Sequence, residues 1–249
     1  LFFIYCGFFR PEYYVNSGAL TMGFFNANQA GIFLAQNIAV LSCCIQYECS
    51  TAKKILLGLL CGLEGYFVFL TQSRMAAICT ILLIAVQFKR KKMIPMKYVR
   101  ICFVCPFLMI FVLLRMAESI FFQNIMVLGK PIISGRELIY LNSIMDMQEK
   151  WVFGNFGLYQ FTNLHNAYLT ILATSGIVGM VMFAIFYWKC LKKFWRLHSA
   201  NSVAFVAFIA ILLLFIEGSV ESAILVSGSM YAGAAMAILM FLNCKGEKS

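Results

Sequence analysis

The stretch Asn163-Leu164-His165-Asn166-Ala167-Tyr168-Leu169-Thr170-Ile171-Leu172, running on through Ser175-Gly176-Ile177-Val178-Gly179, opens an apolar run long enough to cross a bilayer. It also carries one of only two histidines in the chain. Thr162 and Asn163 are good helix N-caps, so His165 is expected in or just before the first turn. The positive end of the helix dipole disfavours an imidazolium there, which leaves a ring able to accept a proton. A histidine so placed has two readings. It is either a general base at a water-facing membrane site or a polar residue marking where the helix meets water.

Working outward, the rest of the chain has the same character. It is 62% hydrophobic and 12% charged, with a mean hydropathy of +0.86. A soluble domain of this length would carry far more charge, so an integral membrane protein is expected. The first residue is Leu1, inside apolar sequence and with no basic leader segment, which suggests a chain lacking N-terminal helices. The net charge of +10 does not indicate nucleic acid, because most Lys and Arg lie in short loops between apolar runs. The ten cysteines show no disulfide framework, and Cys102-x-x-Cys105 lies in a hydrophobic run without partner ligands.

An all-α, polytopic bundle is therefore expected, a single membrane domain with about seven spans. These are placed near 29–47, 55–71, 75–88, 100–115, 166–188, 202–220 and 226–243, after an entry segment over 1–28. Four spans fall within 28–115 and three within 166–243, separated by a long connection over 116–165. Fourteen of the twenty basic residues fall on one side: Lys53/Lys54, Lys89 to Lys92 with Lys97 and Arg100, Lys189 to Arg196, and Lys245/Lys248. That side is read as cytoplasmic. Arg10, Arg74, Arg115, Lys130, Arg136 and Lys150 fall on the other.

The long connection has two helix-like halves, Met116–Leu128 and Arg136–Lys150, divided by Gly129-Lys130-Pro131. Leu138, Leu141, Ile144 and Met145 recur at helical spacing, which predicts an amphipathic helix lying on the membrane or over a cavity. Ser134-Gly135-Arg136-Glu137 has capping-box spacing with Ser134 as N-cap. Arg136 then sits beside free backbone N–H groups, as an anion site or as a solvated surface arginine.

Arg74, in Ser73-Arg74, is separated from Lys89 by fourteen uncharged residues, or ~22 Å at ~1.5 Å per residue. That is short of a ~30 Å hydrocarbon core, so Arg74 either faces a protein cavity or snorkels outward. Glu64 lies inside a span and can pair with Arg74 or with another helix; Glu217 and Glu221 flank the outer end of the sixth span. Gly58-x-x-x-Gly62 reads as a helix-packing face, and His198 as an ordinary cytoplasmic residue. Two arginines suit a diphosphate, and a histidine suits deprotonation of an attacking hydroxyl. No metal cluster is visible.

Four motifs in order, Ser73-Arg74, Ser134-Gly135-Arg136-Glu137, Trp151-Val152-Phe153-Gly154-Asn155-Phe156-Gly157 and His165-Asn166-Ala167-Tyr168-Leu169 with Ser175-Gly176-Ile177-Val178-Gly179, resemble the O-antigen ligase/polymerase superfamily. Asn26-Ala27-Asn28 is similar to that family's entry segment, with Ala where Pro is frequent. The resemblance covers about residues 20–190. It implies a multi-pass enzyme of the bacterial cytoplasmic membrane with its site on the extracytoplasmic face. Its donor would be an undecaprenyl-diphosphate-linked oligosaccharide, its chemistry inverting glycosyl transfer without metal or cofactor. Arg74 and Arg136 would hold the diphosphate and His165 would activate the acceptor hydroxyl. Asn166, Tyr168, Glu64 and Glu221 are further candidates to line the cavity. Besides the lipid bilayer, other polysaccharide-assembly membrane proteins are expected partners, and no nucleic acid.

The first expectation is a polymerase joining lipid-linked repeat units into a capsular or O-antigen chain of the lipopolysaccharide type. A ligase moving the glycan to a different acceptor shares the motifs. A non-enzymatic transporter or flippase of lipid-linked sugars is the rival of a different class, since membrane arginines and a histidine also serve substrate passage.

Overall fold

The computed structural model describes residues 15–16, 19–22, 27–87, 94–119, 125–127, 130–131, 136–155, 164–198 and 202–219. Seven helices dominate them: α1 (Ala27–Tyr47), α2 (Thr51–Leu70), α3 (Arg74–Gln87), α4 (Met96–Glu118), α5 (Glu137–Met147), α6 (Ala167–Leu197) and α7 (Ser202–Glu217). Two small antiparallel hairpins complete them. β1 (Val15–Asn16) pairs with β2 (Ala19–Leu20), and β3 (Met126–Val127) with β4 (Lys130–Pro131).

Among the described residues three helices, fewer than the seven spans expected, are long and apolar enough to cross a membrane: α1, the Met96–Leu113 part of α4, and α6. The shortfall has a physical cause in each case. α2 has 20 residues but carries Lys53, Lys54 and Glu64. α3 has 14 residues and α7 has 16, and at ~1.5 Å per residue both fall short of a ~30 Å core. The expected span over 226–243 lies outside the described residues. The expected helix over Met116–Leu128 is not formed as one element. α4 runs on to Glu118, and Lys130 and Pro131 of the expected divider form β4, paired with β3.

The chain forms two compact units. The first contains β1, β2, α1, α2, α3, the end of α6 from Lys193, and α7. Here α1 packs on α2, α3 and α7. Gly31 makes the close approach possible, since a Cβ there would lie 2.7 Å from both Ser73 Cβ and Thr71 Oγ1. Gly65 seats α2 on Thr80 and Ile84 of α3. Gly58 and Gly62, by contrast, face open space, so the expected GxxxG packing face is not used among the described residues.

His198 also departs from expectation. It is 1% exposed, accepts the Ile94 N–H at Nε2 (3.0 Å) and contacts the Trp195 carbonyl through Nδ1. Trp195 Nε1 donates to the Ile94 carbonyl at 2.7 Å. A residue expected in a solvated loop instead staples the end of α6 to the chain before α4, within the first unit.

The second unit holds α4, β3–β4, α5, α6 as far as Lys192, and the Gly218–Ser219 turn. A run of rings links α4 to α6: Trp188, Phe103, Phe107, Tyr168, Phe183 and Tyr187, with successive centroids 5.1 to 6.1 Å apart. α5 packs on α4. It turns Tyr140, Ser143 and Met147 inward and leaves Leu138 and Met145 exposed. The apolar positions that predicted this helix are thus partly its outward face.

Candidate functional site

Arg74 is the first residue of α3, and the turn before it fixes the helix start. Thr71, fully buried, donates its hydroxyl to the Val68 carbonyl (2.6 Å) and accepts the Ser73 N–H (3.3 Å). Gln72 between them has φ 55°, in the left-handed region. Ala77 N–H then donates to the Ser73 carbonyl as the helix begins. Arg74 itself is half-buried. Glu64 is half-buried on α2, and its Oε2 has no hydrogen-bond partner among the described residues. Glu217, the last residue of α7, is 1% exposed and within electrostatic range of the Cys79 sulfur. Glu221 lies outside the described residues.

Arg136 and His165 lie in the second unit and come together. Arg136 Nη1 donates to the His165 main-chain carbonyl at 3.4 Å. Arg136 occupies the N-cap position of α5, with φ −87° and ψ −1° and no side-chain capping bond. The capping box with Ser134 as N-cap is therefore not what starts this helix; the start falls two residues later. The guanidinium still belongs to a helix N-terminus, where the exposed ends of backbone dipoles favour anions.

His165 precedes α6 by two positions and has φ 48°. The cap is Asn166, not Thr162 or Asn163. Its Oδ1 accepts the Leu169 N–H at 2.9 Å, and its Nδ2 donates to the Ser219 carbonyl at 2.7 Å. Ala167 N–H donates to the Gly218 carbonyl at 2.7 Å. Asn166, Ala167 and Tyr168 are all buried, whereas His165 between buried Leu164 and Asn166 is only half-buried. Asn166 and Tyr168 therefore serve as anchors beneath the histidine. Of the three non-glycine residues with positive φ among those described, Gln72 immediately precedes the Ser73-Arg74 motif and His165 opens its own. Such strain persists only where the surroundings over-determine it, and it concentrates at functional sites.

The sequence reading missed how two of its motifs interlock. α6 contains a break at Gly176, with φ 65° and ψ −164°. An unbroken helix would send the Ile177 N–H to the Ala173 carbonyl. Instead Ile177 N–H donates to the Trp151 carbonyl (2.8 Å) and Val178 N–H to that of Val152 (3.2 Å), while the freed Ala173 carbonyl accepts the Asn155 N–H (3.0 Å). Three backbone groups at the break are thus paired with one turn, the internal pairing that a membrane setting favours. The glycine in each motif was the available signal. A Cβ on Gly154 would fall 2.6 Å from the Gly176 nitrogen, and one on Gly176 would collide with the Val152 carbonyl.

An apolar groove of about 520 Å³ runs along α4, lined by Arg100, Ile101, Val104, Cys105, Leu108, Met109 and Val112. None of the expected site residues lines it. Among the described residues, no three His, Cys, Asp or Glu side chains gather as a metal site. No protein-family model, curated protein or solved structure matches this chain.

Proposed function

We propose that the chain is a multi-pass membrane glycosyltransferase that polymerises repeat units of a surface polysaccharide from an undecaprenyl-diphosphate-linked donor. The observation that carries the reading is the 3.4 Å bond from Arg136 Nη1 to the His165 carbonyl. It gathers a guanidinium, a strained histidine and the starts of two helices. Holding one N–H on that carbonyl orients the planar fork, and a fork suits a diphosphate better than a point charge does.

In the proposed reaction His165 takes the proton of an acceptor sugar hydroxyl as its oxygen attacks the anomeric carbon. The bond from that carbon to the diphosphate oxygen breaks on the opposite face, inverting the configuration. Arg136 stabilises the charge that develops on the departing diphosphate. The site faces the extracytoplasmic side of a bacterial cytoplasmic membrane, with the basic loops cytoplasmic. In this topology α2, α3 and α7 are spans beside α1, α4 and α6.

The test is to supply the purified protein, in vesicles, with lipid-linked repeat units alone. Chain growth is the expected result. Transfer only when a second acceptor is added would make the protein a ligase. Movement of the lipid across the bilayer without any transfer would make it a flippase.

A further inference from the structure

The turn that caps the break in α6 carries three consecutive apolar side chains on its outside. Trp151 is 38% exposed, Val152 55% and Phe153 55%. Its backbone is tied to Ile177 and Val178, which open the lower part of α6 and are themselves exposed, as are Val181 and Met182 farther down. The turn is therefore continuous with the lipid-facing surface of a helix long and apolar enough to span the membrane.

Depth follows from the helix rise. Val178 precedes Lys192 by fourteen residues and Lys189 by eleven. At ~1.5 Å per residue the turn stands roughly 17–21 Å above the basic cluster that marks the inner boundary. A hydrocarbon core is ~30 Å thick, and any tilt of α6 lowers the turn further. It cannot reach the outer edge of the core. Its backbone tolerates that depth because the break and the turn satisfy each other, the condition under which irregular backbone enters a membrane. Glu149 and Lys150, on the upstream limb, have stems able to carry their charges up toward the headgroups.

We propose that Trp151, Val152 and Phe153 form a re-entrant wedge inserted among the acyl chains of the outer leaflet, held there by the Gly154–Gly176 clasp. The partner is the lipid acyl chain. The wedge rests on the proposed topology, with the basic loops cytoplasmic, but not on sugar transfer, since it uses neither His165 nor either arginine.

The test compares the full chain with Trp151→Phe in vesicles, so that the difference in tryptophan emission isolates Trp151 from Trp188 and Trp195. The expected result is loss of most of the Trp151 emission to lipids brominated in the lower half of the acyl chain, with little loss to aqueous acrylamide. Quenching by acrylamide and not by the bromolipids would overturn the wedge by placing the turn in water. Quenching by neither would overturn it by showing the turn covered by protein. Phenylalanine keeps the apolar character of the site, so the variant preserves the fold while removing the signal.

Discussion

Arg136 and His165, 29 residues apart in sequence, meet through a bond from the Arg136 guanidinium to the His165 main-chain carbonyl, 3.4 Å long. The bond uses the histidine's main-chain carbonyl rather than its ring. In the proposed reaction two roles are divided between the two side chains: a fork of donors for anionic oxygen, and a ring for a proton.

Arg136→Lys tests the fork. Lysine keeps the charge but presents a compact ammonium, which cannot bond two oxygens in one plane. Donor affinity should fall by about tenfold, the equivalent of ~1.4 kcal/mol, with thermal stability nearly unchanged. Equilibrium binding of a lipid-linked diphosphate sugar checks this, and unchanged affinity would remove Arg136 from the site.

Asn166→Ala and His165→Ala should separate structure from chemistry. Asn166 caps α6 and holds the Ser219 carbonyl from a buried position, so its loss should cost about 1–2 kcal/mol of stability, the usual cost of losing a helix cap. His165 is half-buried where Asn166 is fully buried, so truncating its ring should cost less stability than losing the Asn166 cap. A thermal unfolding series on the two variants reads the split directly.

Gly176→Ala meets two penalties. At φ 65° and ψ −164° the backbone is in a region essentially reserved for glycine, costing other residues roughly 1–3 kcal/mol, and a Cβ there would also strike the Val152 carbonyl. Gly154→Ala attacks the same clasp from the other side. Because both variants break one contact, their effects should fall well short of additive. Full additivity in unfolding measurements would show that the turn and the break are independent.

Glu48 supplies a pH dependence at the connection between α1 and α2. Its carboxylate accepts the Ser50 N–H (3.0 Å) and the Cys49 N–H (2.9 Å), with Lys53 Nζ 3.8 Å away. The Ser50 bond first, then that from Cys49 and the Lys53 charge, hold the carboxyl below its ordinary range. A depressed folded value means that the contribution is present above the unfolded value, near 4.5, and is lost as pH falls through the folded one. Corrected for the intrinsic slowing of exchange in acid, the protection of the amides at the start of α2 should fall on acidification below that value, and Glu48→Gln should abolish the dependence.

Six of the seven expected spans coincide with helices because long apolar runs permit little else. Their ends were unevenly legible. The 14 residues of α3 match the expected 75–88 to within one position, but period and hydropathy do not reveal that Lys53 and Lys54 lie inside α2. The amphipathic character of α5 was visible, yet the pattern could not say that Leu138 and Met145 would face outward while Tyr140 and Met147 packed on α4. His198 was misread because a basic neighbourhood suggests water, and only the fold reveals the Ile94 N–H it accepts. The glycine pair was quoted in two separate motifs; its meaning depends on a long-range contact that no local signal encodes. At the candidate site, His165 before a helix and Arg136 at a helix start were both readable, but their meeting was not.

The most direct measurement of the central claim is the rate of glycan transfer from a lipid-diphosphate donor by the parent chain and by His165→Ala, with donor binding measured alongside. The account predicts chain growth by the parent and a rate lower by about 10²–10⁴-fold in the variant, with donor affinity little changed. Undiminished transfer by His165→Ala, or a loss confined to donor binding, would contradict it.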